Sequence, residues 1–145
     1  MKAGILRRLA VVGAAAAAVV ALGAVPAQAA TATLSIPFVN CENSQGTIFD
    51  YYMRVDVTLS GTYGYGGHII VRIWGDDSFS DDLLLGPVRW DFGPFASRVF
   101  VDLCVNSSTL DEDIGEDEVY AGVRVFNSNG VQTEVVESNR LEDNF

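Results

Sequence analysis

The chain is poor in the side chains on which most catalytic and metal centres depend. Of its 145 residues, one is a histidine (His68) and two are cysteines (Cys41 and Cys104). A zinc site needs about four nitrogen or sulfur ligands, which is more than these three residues supply. The Gly-x-Ser-x-Gly motif of a nucleophile elbow is also absent from the sequence. We therefore predict that the protein is not an enzyme.

Positive charge is scarce as well, and a third of it lies at the amino terminus. Three of the nine cations fall within the first eight residues, followed by an apolar run over 9–25. Ala27-Gln28-Ala29 fits the small-x-small pattern that signal peptidase cleaves. We predict a signal peptide over residues 1–29, cleaved near Ala29, and a secreted domain over residues 30–145. We expect no membrane insertion after cleavage, because no second apolar run follows.

The predicted secreted part has a large excess of carboxylates. All 19 Asp and Glu residues lie after residue 30, against six arginines and no lysine, so residues 30–145 have a net charge of −13. A field of this sign repels phosphate backbones and anionic lipid headgroups, and it attracts divalent cations or basic partners. This excludes nucleic acid as a ligand. Solubility alone is the other explanation for the charge.

The two cysteines form an even pair in a chain that is predicted to be exported. We therefore predict one disulfide, Cys41–Cys104, which closes a loop of 63 sequence positions. In the chain-entropy description, a loop of that length contributes about 4 kcal/mol to stability.

Apolar and polar residues alternate along most of residues 30–145. The pattern is clearest over 51–59, and a first strand over 31–39 would turn Leu34, Ile36 and Phe38 inward. Further strands are predicted over 68–74, 83–90, 96–105, 119–126 and 131–136. About 116 residues suffice for one domain. We predict an all-β fold, a small antiparallel immunoglobulin-like β-sandwich of about seven to eight strands.

Two predicted loops, over 74–82 and 111–118, concentrate the carboxylates. Calcium takes about six to eight oxygen ligands, and Asp residues with intervening Gly and Ser supply such oxygens. The spacing is not that of an EF-hand. The alternative is that both loops are solvated surface. If calcium is the cofactor, the candidate ligands are five aspartates of these two loops: Asp76, Asp77, Asp81, Asp82 and Asp117.

The segment Val71-Arg-Ile-Trp-Gly-Asp-Asp-Ser-Phe-Ser-Asp-Asp-Leu-Leu-Leu-Gly86 resembles the calcium-dependent phospholipid-binding β-sandwich domains of synaptotagmin and protein kinase C. The resemblance implies that Trp74 is the aromatic residue that ends a strand and that Asp77 is the second calcium ligand of the loop. The family's first ligand falls on Gly75, so Asp76 would have to replace it. This likeness covers 16 residues.

Aromatic side chains exceed what the inward faces of a small sandwich usually bury. Tyr63 and Tyr65 lie in a glycine-rich turn, and Trp90, Phe92 and Phe95 lie in or beside another predicted connection. Such residues can contact a partner or a sugar ring, or they can close the loops by packing.

We therefore predict a non-enzymatic binding or interaction module for an unknown protein, glycan or small ligand. Two alternatives stay open. One is a structural or accessory exported protein with calcium-stabilised acidic loops, and the other is a hydrolase that uses loop carboxylates as acid and base. Exposed aromatics beside the acidic loops would favour binding, whereas dispersed aromatics would favour the structural alternative.

Overall fold

The computed structural model describes residues 29–76, 81–110 and 117–143, with only the backbone at Asp117. Residues 1–28 of the predicted signal peptide, the candidate ligand Asp77 and residues 111–116 of the second acidic loop lie outside these residues. In the part that is described, no helix is long and apolar enough to cross a membrane.

The described residues form ten β-strands and one short helix. The strands are β1 (Thr31–Ser35), β2 (Cys41–Glu42), β3 (Ile48–Phe49), β4 (Tyr51–Thr58), β5 (Gly67–Asp76), β6 (Asp81–Phe92), β7 (Arg98–Val105), β8 (Asp117–Asn127), β9 (Gln132–Glu137) and β10 (Leu141–Asp143). Helix α1 (Ser107–Leu110) follows β7. The predicted all-β fold is confirmed. The strand number exceeds the predicted seven to eight because β2, β3 and β10 contain only two or three residues each.

The strands pair antiparallel in two main sheets. The smaller sheet has the order β1-β4-β7, and the larger has the order β10-β8-β5-β6, with β9 also paired to β8. The chain crosses between the sheets at the β4–β5, β6–β7 and β7–β8 connections, as in immunoglobulin-like sandwiches. In the letters used for that fold, β4, β5, β7, β8 and β9 correspond to strands B, C, E, F and G.

The core lies between the two sheets and follows the period of two in the sequence. In β4, Tyr51, Met53, Val55 and Val57 are buried, while the intervening residues face outward. They pack against β5 and β8 side chains such as Ile69, Val71, Val123 and Val125. These positions alternate because successive side chains of a strand point to opposite faces of the sheet.

The first strand is shorter than predicted. β1 ends at Ser35, and Phe38 is 77% exposed rather than inward. Pro37 explains the difference, because proline has no backbone N–H to continue a ladder. Leu34 is buried as predicted.

The predicted disulfide is present. Cys41 in β2 is bonded to Cys104 in β7, with 5.4 Å between their Cα atoms. The two-stranded β2–β3 ribbon is thereby attached to the outer side of β7, which is the edge strand of the smaller sheet.

Strands β9 and β10 occupy the same edge of β8 and are separated by Ser138–Arg140. Ser138 bridges the gap, because its N–H donates to Ala121 O and its Oγ accepts from Ala121 N–H, both at 2.9 Å. The next side chain, Asn139, reaches the smaller sheet. Its Oδ1 accepts from Leu34 N–H at 2.9 Å, and its Nδ2 donates to Leu34 O at 3.2 Å. Asn139 therefore links the open edges of the two sheets.

Candidate functional site

Three connections meet at one end of the sandwich, which we call the loop end. They are the β4–β5 loop (59–66), the β6–β7 connection (93–97) and the β8–β9 hairpin (128–131). The antiparallel register places Gly67 beside both Phe92 and Asn127, so all three connections start or finish at the same level of the larger sheet.

A cavity of about 450 Å³ opens at the loop end. Its walls come from the glycine-rich β4–β5 loop, the β8–β9 hairpin and the start of β9. Hydroxyl, amide and carboxylate groups line it, together with two tyrosines: Ser60, Thr62, Tyr63, Tyr65, Asn127, Ser128, Asn129, Thr133 and Glu134. Arginine and histidine do not occur among its lining residues.

Tyr63 is the residue that holds the loop end together. Its ring is buried and packs edge-on against Phe92, with 5.2 Å between the ring centroids. Its carbonyl accepts from the N–H groups of Gly66 and Phe95, both at 2.9 Å. These bonds join the β4–β5 loop to the β6–β7 connection.

The Tyr63 hydroxyl also fixes a carboxylate at the cavity wall. It donates to Glu134 Oε1 at 2.5 Å and lies 2.9 Å from Thr133 Oγ1. Ser60 Oγ donates to the other oxygen, Glu134 Oε2, at 2.7 Å. Burial, with the Glu134 carboxylate as a second cause, raises the pKa of Tyr63 above its ordinary value. The phenol is therefore neutral and remains a donor to Glu134 at physiological pH.

Two aromatic side chains at the loop end are strongly exposed. Tyr65 is 90% exposed and Phe95 is 77% exposed. Phe95 has a φ of 60°, the left-handed region that bulky side chains rarely adopt. Gly66, also at positive φ, lets the β4–β5 loop pack tightly, because a Cβ there would lie 2.5 Å from Phe92 O. The backbone thus holds Tyr65 and Phe95 outward on adjoining segments.

The other predicted aromatic contacts behave differently. Trp90 is 42% exposed on β6, an edge strand of the larger sheet, and Phe92 is half-buried against Tyr63. His68 is stacked on Phe126, with ring centroids 4.7 Å apart.

The candidate calcium ligands lie at the opposite end, which we call the acidic end. Asp76 pairs with Asp81 across the base of the β5–β6 hairpin, and Asp82 pairs with Gly75. The backbone of Asp117 begins β8 at the same end, paired with Asp143. The fold therefore brings the described ends of the two acidic segments together, which the sequence could not show.

Two of these aspartates already have partners within the protein. Asp76 Oδ2 accepts from Arg140 Nε, and Asp81 Oδ2 accepts from the Tyr120 hydroxyl at 2.8 Å. The Arg140 guanidinium lies 4.7 Å from the centroid of the Tyr120 ring. Burial, with Asp81 as a second cause, raises the pKa of Tyr120 to about 12. Within the described ranges, no three His, Cys, Asp or Glu residues are grouped so that they could hold a metal ion.

The exposed aromatic side chains of the described residues are dispersed. Tyr65 and Phe95 form a pair at the loop end, remote from the acidic end, whereas Trp90 and Phe100 lie on strands and Phe38 contacts Tyr51 at the start of β4. Sequence reasoning identified Tyr63 and Tyr65 but missed Glu134. The available signal was a carboxylate at an inward position of a predicted strand, since Glu134 pairs with the buried Val125.

Comparisons with known proteins identify no family for this chain. No protein family and no curated protein matches the sequence. Among solved structures, the chain is similar to a superoxide reductase (neelaredoxin) from Ignicoccus hospitalis, at 16% identity over 78% of each chain and a TM-score of 0.35. A likeness at this level carries no argument about activity.

Proposed function

We propose that the protein is an exported, non-enzymatic binding module that holds an uncharged, hydroxyl-rich ligand, such as a glycan, at its loop end. The observation that carries this proposal is the polar cavity of about 450 Å³ beside the exposed ring of Tyr65. Export rests on the predicted signal peptide over residues 1–29.

The position of the cavity supports binding. The β4–β5 and β8–β9 connections correspond to the B–C and F–G loops of the immunoglobulin fold, two of the loops that bind antigen in variable domains. Antigen-binding loops are rich in Tyr, Ser, Gly and Asn, which combine aromatic area with adaptable hydrogen bonding. The loop end has the same composition, in Ser60-Gly-Thr-Tyr-Gly-Tyr-Gly66 and Asn127-Ser-Asn-Gly130.

The lining chemistry supports an uncharged ligand. Hydroxyl and amide groups can both donate to and accept from sugar hydroxyls. An anionic ligand would meet Glu134 and a net charge of −13 without a cation in the cavity wall. Glu134 is held in place by Tyr63 and Ser60, so it offers an acceptor whose orientation is set before binding.

Exposed aromatic rings supply the apolar contact that such a ligand needs. A tyrosine offers a rigid, amphipathic surface at a low cost in side-chain entropy. Because Tyr65 is 90% exposed, its ring contributes little to the packing of the folded protein. We assign Tyr65 as the main contact residue, with Phe95 beside it on the adjoining segment.

The test is migration of the purified secreted protein in native gels that contain neutral polysaccharides, including cellulose derivatives, xylan and α-glucan. We expect at least one polysaccharide to retard the wild type and Tyr65→Ala to lose that retardation. The matched control is Phe38→Ala, which removes another exposed aromatic ring at the far end of β1.

Three results would contradict the proposal or a part of it. If Tyr65→Ala is retarded as much as wild type, the polysaccharide does not bind at the loop end. If no polysaccharide retards the wild type, and both variants are folded, neutral glycans are not the ligand. Hydrolysis of a retained polysaccharide would contradict the non-enzymatic part.

A further inference from the structure

A second groove, separate from the loop end, lies on the outer face of the larger sheet. It has a volume of about 200 Å³ and is formed by β5, β8 and the edge strand β9. Arg72 of β5 and Arg124 of β8 both line it. Arg72 pairs with Gly122, so Arg124 is its diagonal neighbour, and such neighbours lie about 7 Å apart.

These two arginines differ from the other four in the secreted part. Arg54 pairs with Asp102, Arg98 with Asp56, Arg89 with Asp91 and Arg140 with Asp76. Among the residues whose placement is described, no carboxylate lies within 4 Å of Arg72 or Arg124. Residues 30–145 contain 19 carboxylates and six arginines, so two neighbouring guanidinium groups that pair with no described carboxylate can receive an anion from outside the protein.

Trp74 adds a third hydrogen-bond donor and an apolar wall. Its indole lies over Gly122, where a Cβ would be 3.0 Å from Trp74 Nε1 and 3.4 Å from Cδ1. Glycine at this position leaves room for the ring. The Trp74 Nε1–H has no acceptor among the described residues, and the ring remains partly exposed.

A carboxylate is present at the rim, and its charge is partly compensated. Glu137 lines the groove across from Gly122, and its Oε2 lies 4.0 Å from Arg140 Nη2. Val135 is exposed on the same side and extends the apolar surface. The groove thus combines two cations, a free indole N–H and an apolar border.

We propose that this groove binds a small monocarboxylate with a ring-shaped or otherwise compact body. The planar guanidinium fork matches the two oxygens of a carboxylate, and the indole wall matches a ring. The groove is too small for an extended chain. The net charge of −13 favours a single negative charge over a polyanion.

The experiment is a ligand titration of the ¹⁵N-labelled secreted protein, monitored by NMR. The chain has two tryptophans, so Trp90→Phe assigns the indole Nε1–H signal of Trp74. The probes are benzoate and glucuronate, with benzamide and glucose as their uncharged counterparts. The indole signal reports this groove and not the loop end, so glucose bound at the loop end does not confuse the result.

We expect at least one carboxylate to shift the Trp74 signal and its uncharged counterpart to leave it in place. Arg72→Gln and Arg124→Gln should each weaken binding at least about tenfold, since each removes a charge-assisted pair. Arg89→Gln is the matched control, because Arg89 lies on the same face but is paired with Asp91, and it should bind as wild type does. The stronger of the two acids identifies an aromatic acid or an acidic sugar as the ligand type.

The proposal is overturned by any of three results. The first is an equal shift with the uncharged counterparts, the second is wild-type affinity in both groove variants, and the third is an unmoved Trp74 signal with both acids up to their solubility.

Discussion

The bond pair between Asn139 and Leu34 makes the most direct prediction about stability. One side-chain amide satisfies both backbone polar groups of a residue that is 105 positions away, on the other sheet. Leu34 is buried, so water does not readily replace the lost partner. We expect Asn139→Ala to leave the Leu34 N–H and C=O without partners at the edge of β1.

The magnitude follows from two hydrogen bonds. Each contributes about 1 kcal/mol net, and an orphaned buried group costs about 1–3 kcal/mol. The site is only partly buried, so we take the lower figures and expect a loss of about 2 kcal/mol. Unfolding entropy is about 2.1 cal/mol/K per residue, so for a domain of about 115 residues the melting temperature should fall by about 8 °C.

The assay combines urea unfolding with hydrogen exchange of the Leu34 amide. Asn139→Ala should lower the free energy of unfolding and speed exchange at Leu34. Asn129→Ala is the control, because that exposed side chain makes no hydrogen bond in the described structure, and its effect should stay within about 0.5 kcal/mol.

The reasoning is refuted if Asn139→Ala unfolds like Asn129→Ala and the Leu34 amide keeps its protection. That outcome would mean that water satisfies the edge of β1 as well as the amide does.

Three further predictions concern the Cys41–Cys104 disulfide, the buried Tyr120 phenol and the acidic end. Replacing Cys41 and Cys104 together by serine should lower the free energy of unfolding by about 4 kcal/mol in urea, and two reactive thiols in unfolded wild type would contradict the bridge. The pKa of Tyr120 is raised from 10.0 to about 12. The stability that the neutral Tyr120 phenol contributes to the folded state is therefore fully present below pH 10 and is lost as the pH rises through 12. Wild type should therefore lose stability more steeply than Tyr120→Phe in that range, and parallel curves would exclude the effect. Calcium decides between the two interpretations of the acidic end: if it binds there, millimolar calcium should raise the melting temperature by several degrees over chelator and over magnesium, and Asp82→Asn should reduce the rise, whereas no calcium-selective rise would make the acidic loops solvated surface.

Much of the fold could be predicted from local patterns. The alternation over 51–59 identified β4 and its buried face, because a period of two is a property of a single strand. Cys41 and Cys104 allowed one pairing only. The first strand was predicted too long, since the apolar alternation through Phe38 outweighed the stop signal of Pro37.

The candidate site was only half visible in the sequence. The glycine-rich turn indicated that Tyr63 and Tyr65 either contact a partner or close the loops by packing; Tyr63 is buried and Tyr65 is exposed. The Tyr63 hydroxyl donates to Glu134, which lies 71 positions away in the chain. Nothing local to either residue indicates that they meet.

The sequence by itself determined the strand periodicity, the single bridge, the negative charge and the aromatic turns, because each depends on neighbouring residues or on composition. The tertiary structure determined which of these features lie close together in space. Antiparallel pairing put the tyrosine turn and the Asn-Gly hairpin at one end and the described ends of both acidic segments at the other. Pairing also placed Arg72 and Arg124 together with no described carboxylate within 4 Å, since the neighbours of a residue in a sandwich are set by the order of the strands.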